Sequence, residues 1–275
     1  MKRLAITIFL LFPIFCNLQA QNDADSVVEI ATDRLGFEMV YVPSGTVEMG
    51  IDIDLFTDLV TTGIFSEGSG INTIANQGYY GVFETYETTL QGFWMDRYEV
   101  TANQYETSYQ RCVDMGNCSN SNLPQLLTWT EALAFCVARG ARLPTEEEWE
   151  YAASGPDNFI FPWGNEFNSE FLDNPDYLSF ELYDVGSRSF NVSWAGLYDM
   201  AGNAAEWTDD LFQPYYSWDE TEFTDWVESR TEFSRVQRGG EAVDSILRKT
   251  TYSRQAGFRD EQGFRCVRFS DPQNG

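Results

Sequence analysis

The chain has 275 residues, 43% of them apolar and 16% aromatic, which is enough to bury the core of one large domain or two small ones and excludes global disorder. Its 43 acidic residues outweigh 17 basic ones, and a formal charge of −26 excludes a basic face for nucleic acid or anionic lipid. Histidine is absent, which excludes Ser-His and Cys-His nucleophile pairs and His-ligated zinc or iron.

Residues 1–20 read as a signal peptide. Lys2 and Arg3 form the charged start, Leu4 to Phe15 the apolar run, and Leu18-Gln19-Ala20 the cleavage site before Gln21. The mature chain is then expected to be secreted, periplasmic or at the cell surface. The run is too short for a membrane span, and no other segment is long and apolar enough. Bulky Phe15 before Cys16 argues against a lipid-anchored cysteine. Cleavage removes two positive charges and no negative one.

Residues 21–36 are polar and read as a loose lead-in. Phe37 to Gly50 alternates around Pro43-Ser44-Gly45 and reads as a hairpin. Residues 51–83 read as a long loop, a frequent location for binding surfaces. Leu90 to Val100 has strand character. Three helix starts follow. Thr101 with Gln104, Thr128 with Glu131 and Thr145 with Glu148 each fit a capping box, in which the Thr oxygen and the Gln or Glu side chain satisfy orphan amides. The second helix carries Ala132, Leu133, Cys136 and Val137 at helical spacing and ends at Gly140; the third carries Trp149, Ala152 and Ala153. Glu146, Glu147 and Glu148 suit a helix N-terminus without any catalytic role. Residues 166–232 are acidic and aromatic. Trp194, Trp207, Phe212, Tyr215, Tyr216, Trp218, Phe223 and Trp226 suit a buried loop core better than a sugar-stacking surface. Arg235 to Gly240 and Gly263 to Arg268 read as core strands. The sum is a mixed α+β domain with little regular structure.

Gly196 to Trp207 is the most unusual stretch. Two glycines and an asparagine turn the backbone, and Asp199 and Glu206 bracket them. Two readings stand: a tight turn with capping carboxylates, or an all-oxygen cage for a hard cation. Four cysteines follow the signal: Cys112, Cys118, Cys136 and Cys266. An even number in a secreted chain points to disulfides, and three pairings are open. One of them joins Cys112 to Cys118 and leaves Cys136 with Cys266.

The ordered set of motifs resembles the sulfatase-modifying factor family, whose founding member is the formylglycine-generating enzyme. The set runs through Val40-Tyr-Val-Pro-Ser-Gly45, Met95-Asp-Arg-Tyr-Glu-Val-Thr101, Thr128-Trp-Thr-Glu-Ala132, Arg142-Leu-Pro-Thr-Glu-Glu-Glu-Trp-Glu-Tyr151 and Pro162-Trp-Gly-Asn165. It continues with Gly196 to Trp207, Arg238-Gly-Gly240 and Gly263-Phe-Arg-Cys266. The resemblance implies one decorated C-type-lectin-like domain over 37–270, with 271–275 as a tail. It implies a disulfide from Cys136 to Cys266. It also implies a structural calcium ion on Asp199, the carbonyls of Gly202 and Ala204, and Glu206.

The resemblance departs at the catalytic groove. The family's enzyme binds copper through two cysteines after Arg-Gly-Gly; here those positions fall on Asp244 and Lys249. Its active-site serine falls on Glu241. Copper is therefore not expected. The expected function is a calcium-stabilised, monomeric, non-catalytic module that binds a protein, peptide or glycan, with Glu241, Asp244, Arg248 and Lys249 as groove candidates. The alternatives are an enzyme of the formylglycine-generating type, or one in which Glu241 and Asp244 act as paired carboxylates.

Overall fold

The computed structural model describes residues 28–51, 85–108, 121–166, 181–212, 235–241, 250–256 and 261–274. The central sheet has four antiparallel strands in the order β1-β2-β5-β9. These are β1 (Ile30–Thr32), β2 (Glu38–Val42), β5 (Phe93–Asp96) and β9 (Val267–Arg268). A two-stranded ribbon pairs β3 (Gly45–Met49) with β4 (Tyr86–Leu90). A third sheet orders β6 (Glu206–Leu211), β7 (Arg235–Arg238) and β8 (Gln255–Ala256). Three helices complete the described part: α1 (Ala102–Ser108), α2 (Trp129–Ala138) and α3 (Glu146–Ser154).

The segment from Phe37 to Gly50 is not a hairpin. Its two halves both pair with residues 86–96. Met39 faces Asp96, Val42 faces Phe93, Gly45 faces Leu90 and Met49 faces Tyr86. The register is the same before and after Pro43-Ser44, so the two strands form one long antiparallel ladder with a single break. Proline lacks the N–H that a ladder needs, and that makes Pro43 a break in one strand as readily as a turn between two. Alternation alone does not say which.

The end of the supposed lead-in is also structured. Ile30 to Thr32 pair with β2, and Asp33 is buried. Within the C-terminal tail, Pro272–Asn274 form a 3₁₀ turn whose Pro272 is buried. The strand β6 has no counterpart in the sequence reading, because Asp209 and Asp210 interrupt its apolar pattern.

All three capping boxes form. Gln104 and Thr101 exchange bonds at 3.0 and 3.2 Å, and Thr145 and Glu148 at 2.9 and 3.2 Å. Thr128 and Glu131 do the same at the start of α2. Gly140 follows α2 at a φ of 71°, a conformation that costs a glycine little. Helix α2 buries Ala132, Phe135 and Cys136, whereas Val137 is 60% exposed, so the apolar face is centred one residue away from the spacing first read. Helix α3 is buried nearly all round, including Glu146, Glu148 and Glu150.

Two large core clusters fill much of the interior among the described residues, beside a small one of Ala31, Met39 and Trp94. One joins Val40, Val42, Phe93, Met95 and Val267 of the central sheet to Trp149, Tyr151, Ala152 and Ala153 of α3. The other joins Phe135 and Cys136 of α2 to Phe37, Leu127, Trp207, Phe264 and Cys266. Cys136 and Cys266 are disulfide-bonded, with Cα atoms 5.5 Å apart across 130 residues of chain. Cys112 and Cys118 lie outside the described residues. Arg139, just past α2, donates to both Asp96 oxygens at 2.7 and 2.8 Å and to Asp33 at 2.9 Å. It also lies 3.6 Å from the centre of the Phe37 ring. Trp194 donates to the Tyr151 carbonyl and Trp207 to the Leu127 carbonyl, so both serve the core as expected. Among the described residues no helix is long and apolar enough to cross a membrane.

Candidate functional site

The stretch from Gly196 to Trp207 curls through four residues of positive φ: Gly196 at 86°, Asp199 at 60°, Gly202 at 92° and Asn203 at 64°. Glycine and asparagine adopt that region readily, and an aspartate tolerates it better than most residues. The curl is tied on both sides. Asn191 accepts from the Asp199 amide and donates its side-chain amide to the Ala201 carbonyl at 2.7 Å. Asp199 Oδ2 accepts from the Gly186 amide at 2.6 Å. Asn203 accepts from the Tyr183 amide at 3.0 Å.

Glu99, which no reading of the sequence singled out, closes this curl from the far side. Its carboxylate accepts from the Ala204 amide at 3.0 Å and from Asn203 Nδ2 at 2.6 Å. Burial raises its pKa well above the ordinary carboxylate range, and Asp199 and Glu206 push it further up; Arg265 and the Ala204 amide pull the other way. The one sequence clue was its place in Met95 to Thr101, beside the start of α1.

Arg265 stands among these acids. It is fully buried. Its guanidinium grips Glu206 with both Nε and Nη2, at 2.7 and 2.6 Å, and reaches the carbonyls of Tyr198, Asp96 and Arg97. Burial disfavours its charge, but Glu206, Glu99 and Asp199 outweigh that and hold its pKa above the usual value. Trp149 of α3 donates its indole N–H to Glu206 at 2.9 Å. One buried guanidinium is thus bonded to Glu206 and attracted by Glu99 and Asp199.

The structure therefore brings Asp199 and Glu206 into one electrostatic cluster, but in different roles. Asp199 sits on the curl with Gly202 and Ala204, while Glu206 gives both oxygens to Arg265. Among the described residues no three acidic or cysteine side chains converge as a metal cluster. An ion at this curl would lean on carbonyl oxygens. The surplus of buried negative charge and the all-oxygen donors fit a hard divalent cation.

The curl is joined directly to the Arg-Gly-Gly turn. The Gly202 amide donates to the Gly239 carbonyl at 2.8 Å. A Cβ on Gly239 would stand 3.3 Å from the Trp149 ring, so α3, the curl and the turn meet closely. Gly263 makes the other close approach: a Cβ there would fall 2.8 Å from that of Ala204. Glu241 follows the turn and is half-buried. Asp244, Arg248 and Lys249 lie outside the described residues, as does the 51–83 loop apart from Ile51.

Around Arg238 the acids of α3 are fully used. Arg238 pairs with Glu150 at 2.8 Å and Glu146 at 3.1 Å. Glu150 also accepts from the Gly50 amide at 2.7 Å, and burial raises its pKa despite Arg238. Glu148 holds Arg142 with two bonds of 2.6 Å. Glu146 and Glu148 are structural, as their sequence context implied, but through arginine partners, whereas Glu147 accepts from the Tyr86 hydroxyl at 3.4 Å.

An antiparallel central sheet, three capped helices and long irregular segments held by buried ion pairs define a formylglycine-generating-enzyme-like fold. The chain belongs to the sulfatase-modifying factor enzyme 1-like domain family, whose model matches residues 26–270. It is 36% identical to the formylglycine-generating enzyme of Mus musculus over 114 residues, covering 37% of this chain and 31% of that protein. It is 39% identical to the inactive C-alpha-formylglycine-generating enzyme 2 of Mus musculus over 160 residues, covering 51% of this chain and 47% of that one. The chain thus spans less than half the length of these two relatives. Among solved structures, PvdO from Pseudomonas aeruginosa superposes with a TM-score of 0.62 at 18% identity, covering 88% of this chain and 98% of that chain. Treponema denticola variable protein 1 does so with a TM-score of 0.58 at 18% identity, covering 88% and 98%. At such identity the likeness is one of fold.

Proposed function

We propose that this family member does not generate formylglycine and serves instead as a secreted, calcium-stabilised module that binds a protein, peptide or glycan in its groove. One observation carries the first half. No cysteine lies between Cys136 and Cys266 in the whole sequence, and those two are bonded to each other. Copper(I) is held by soft thiolates, and the carboxylate of Asp244 and the ammonium of Lys249 cannot replace a thiolate pair. The family includes a relative named as inactive, which accords with a scaffold kept after its chemistry is gone. The purified mature protein, given copper, oxygen and a sulfatase-motif peptide, is expected to leave the peptide cysteine unchanged by mass spectrometry. Conversion of that cysteine to formylglycine would overturn the reading.

Calcium is supported by the charge balance at the curl. Asp199 and the carbonyls of Gly202 and Ala204 would hold the ion, with Glu206 shared between it and Arg265. The ion would supply fixed positive charge and no redox chemistry. A cation that binds only the folded chain stabilises it by mass action, about 2.7 kcal/mol at a hundredfold excess over its dissociation constant. The melting temperature is expected to rise with millimolar calcium and to fall with chelator, and Asp199→Ala is expected to abolish the difference. A parent melting temperature indifferent to both would remove the ion from this site.

A further inference from the structure

Residues 235–241 and 250–254 flank the segment that carries the groove candidates Asp244, Arg248 and Lys249. Both flanks converge on one carboxylate. Arg238 Nη2 donates to Glu146 Oε2 at 3.1 Å on the outgoing side. Arg254 donates to the same Oε2 through Nε at 2.8 Å and to Oε1 through Nη2 at 3.0 Å on the returning side. Glu146 is the first residue of α3, and its own amide is fixed by Asp210 at 2.7 Å. The helix behind it is locked by its capping box and by Glu150 on Arg238. Arg238 also reaches across to the Thr251 and Ser253 carbonyls at 3.4 Å.

We infer that Glu146 is a positioning residue: its carboxylate sets the separation of the two groove flanks and transmits the rigidity of α3 to Glu241 and the turn at Gly239-Gly240. The physical basis is the position of both guanidinium groups, which are almost wholly buried. A buried guanidinium bonded to a carboxylate resists leaving it, because release means an uncompensated charge in the interior. Arg238 has a second acid in Glu150. The outgoing flank therefore keeps one acid partner when Glu146 is neutralised. A helix-start glutamate that merely favoured the macrodipole would hold neither flank.

This inference gives meaning to the groove reading above, but its test does not depend on any ligand or activity. Hydrogen exchange is compared between the parent and Glu146→Gln, which keeps the side-chain size and loses the charge. Amides of 250–254 are expected to exchange about tenfold faster or more, those of 236–240 less so. The Tyr41 and Asp96 amides of the central sheet, which bond to Glu29 and Cys266 carbonyls, are expected to stay unchanged. Arg254→Gln should accelerate the same returning flank, and the double variant should add nothing beyond Glu146→Gln, because the two groups act as one pair. Glu146→Asp should restore part of the protection. Equal acceleration throughout the domain, unchanged flanks, or full additivity of the two substitutions would overturn the inference. If Glu146→Gln fails to fold, Arg254→Gln decides alone: unchanged exchange at 250–254 overturns the inference.

Discussion

Arg265→Ala is expected to lower the unfolding free energy by about 3–5 kcal/mol, the usual loss when one partner of a buried ion pair is removed. The guanidinium is the positive charge toward which Glu206, Glu99 and Asp199 all lie, and it satisfies three carbonyls besides. Removing it leaves three carboxylates together in the interior and strips Glu206 of both its charged bonds. Total stabilities of single domains run about 5–15 kcal/mol, so the variant would sit near the limit of folding. Urea denaturation followed by tryptophan fluorescence reads this directly. Glu206→Gln should cost less, because Arg265 keeps its carbonyl partners and its attraction to Glu99 and Asp199. A variant at Arg265 as stable as the parent would show that the cluster is not charged in the way described. Added calcium offers a further discrimination: an ion at the curl would recover part of the Arg265→Ala loss and little of a loss made in the distant core.

The double substitution Cys136→Ser with Cys266→Ser is expected to be comparably severe. The bond closes a loop with a sequence separation of 130 residues. Chain-entropy arguments put its contribution at about 5 kcal/mol as an upper-end figure, with typical deletions costing roughly 2–5 kcal/mol. Both sulfurs are buried in the cluster around Phe135 and Phe264, so two hydroxyls placed there add a desolvation cost. The parent in strong reductant, once unfolded, should refold no better than the oxidised serine variant. Equal denaturation midpoints for parent and variant would mean that packing around α2 suffices without the bond. The effect should reach Asp96 and Arg139, because the Cys266 amide donates to Asp96 at 2.9 Å and Asp96 in turn holds Arg139. A loss felt at the disulfide is thus passed to the central sheet through two buried hydrogen bonds.

The two sites differ in how legible they were. Asp199, Gly202 and Ala204 lie within six residues, and turn-forming residue types announced the curl. Glu99 and Arg265 were not attached to it, because they join it across 105 and 59 residues of chain, to Ala204 and Glu206 respectively. The same division holds for α3. Its start, its capping box and its buried Trp149 were readable from a few consecutive residues. That Glu148 holds Arg142, Glu150 holds Arg238 and Glu146 holds both Arg238 and Arg254 was not, since the partners of Glu146 and Glu150 come from segments far along the chain.

The sequence by itself determined the family, the helix starts set by Thr-Gln and Thr-Glu pairs, the absence of any cysteine between Cys136 and Cys266 and the exclusion of histidine chemistry. Each of these depends on residue identity or on contacts within about four positions. Tertiary structure alone decided that residues 38–49 form half of a long ladder with 86–96, that Ile30 to Thr32 belong to the sheet, and that Glu206 faces Arg265. These are pairings between distant segments. Alternating patterns and isolated charges permit many such pairings, and only the closing of the chain around a shared core, where a buried charge must find its opposite, selects one.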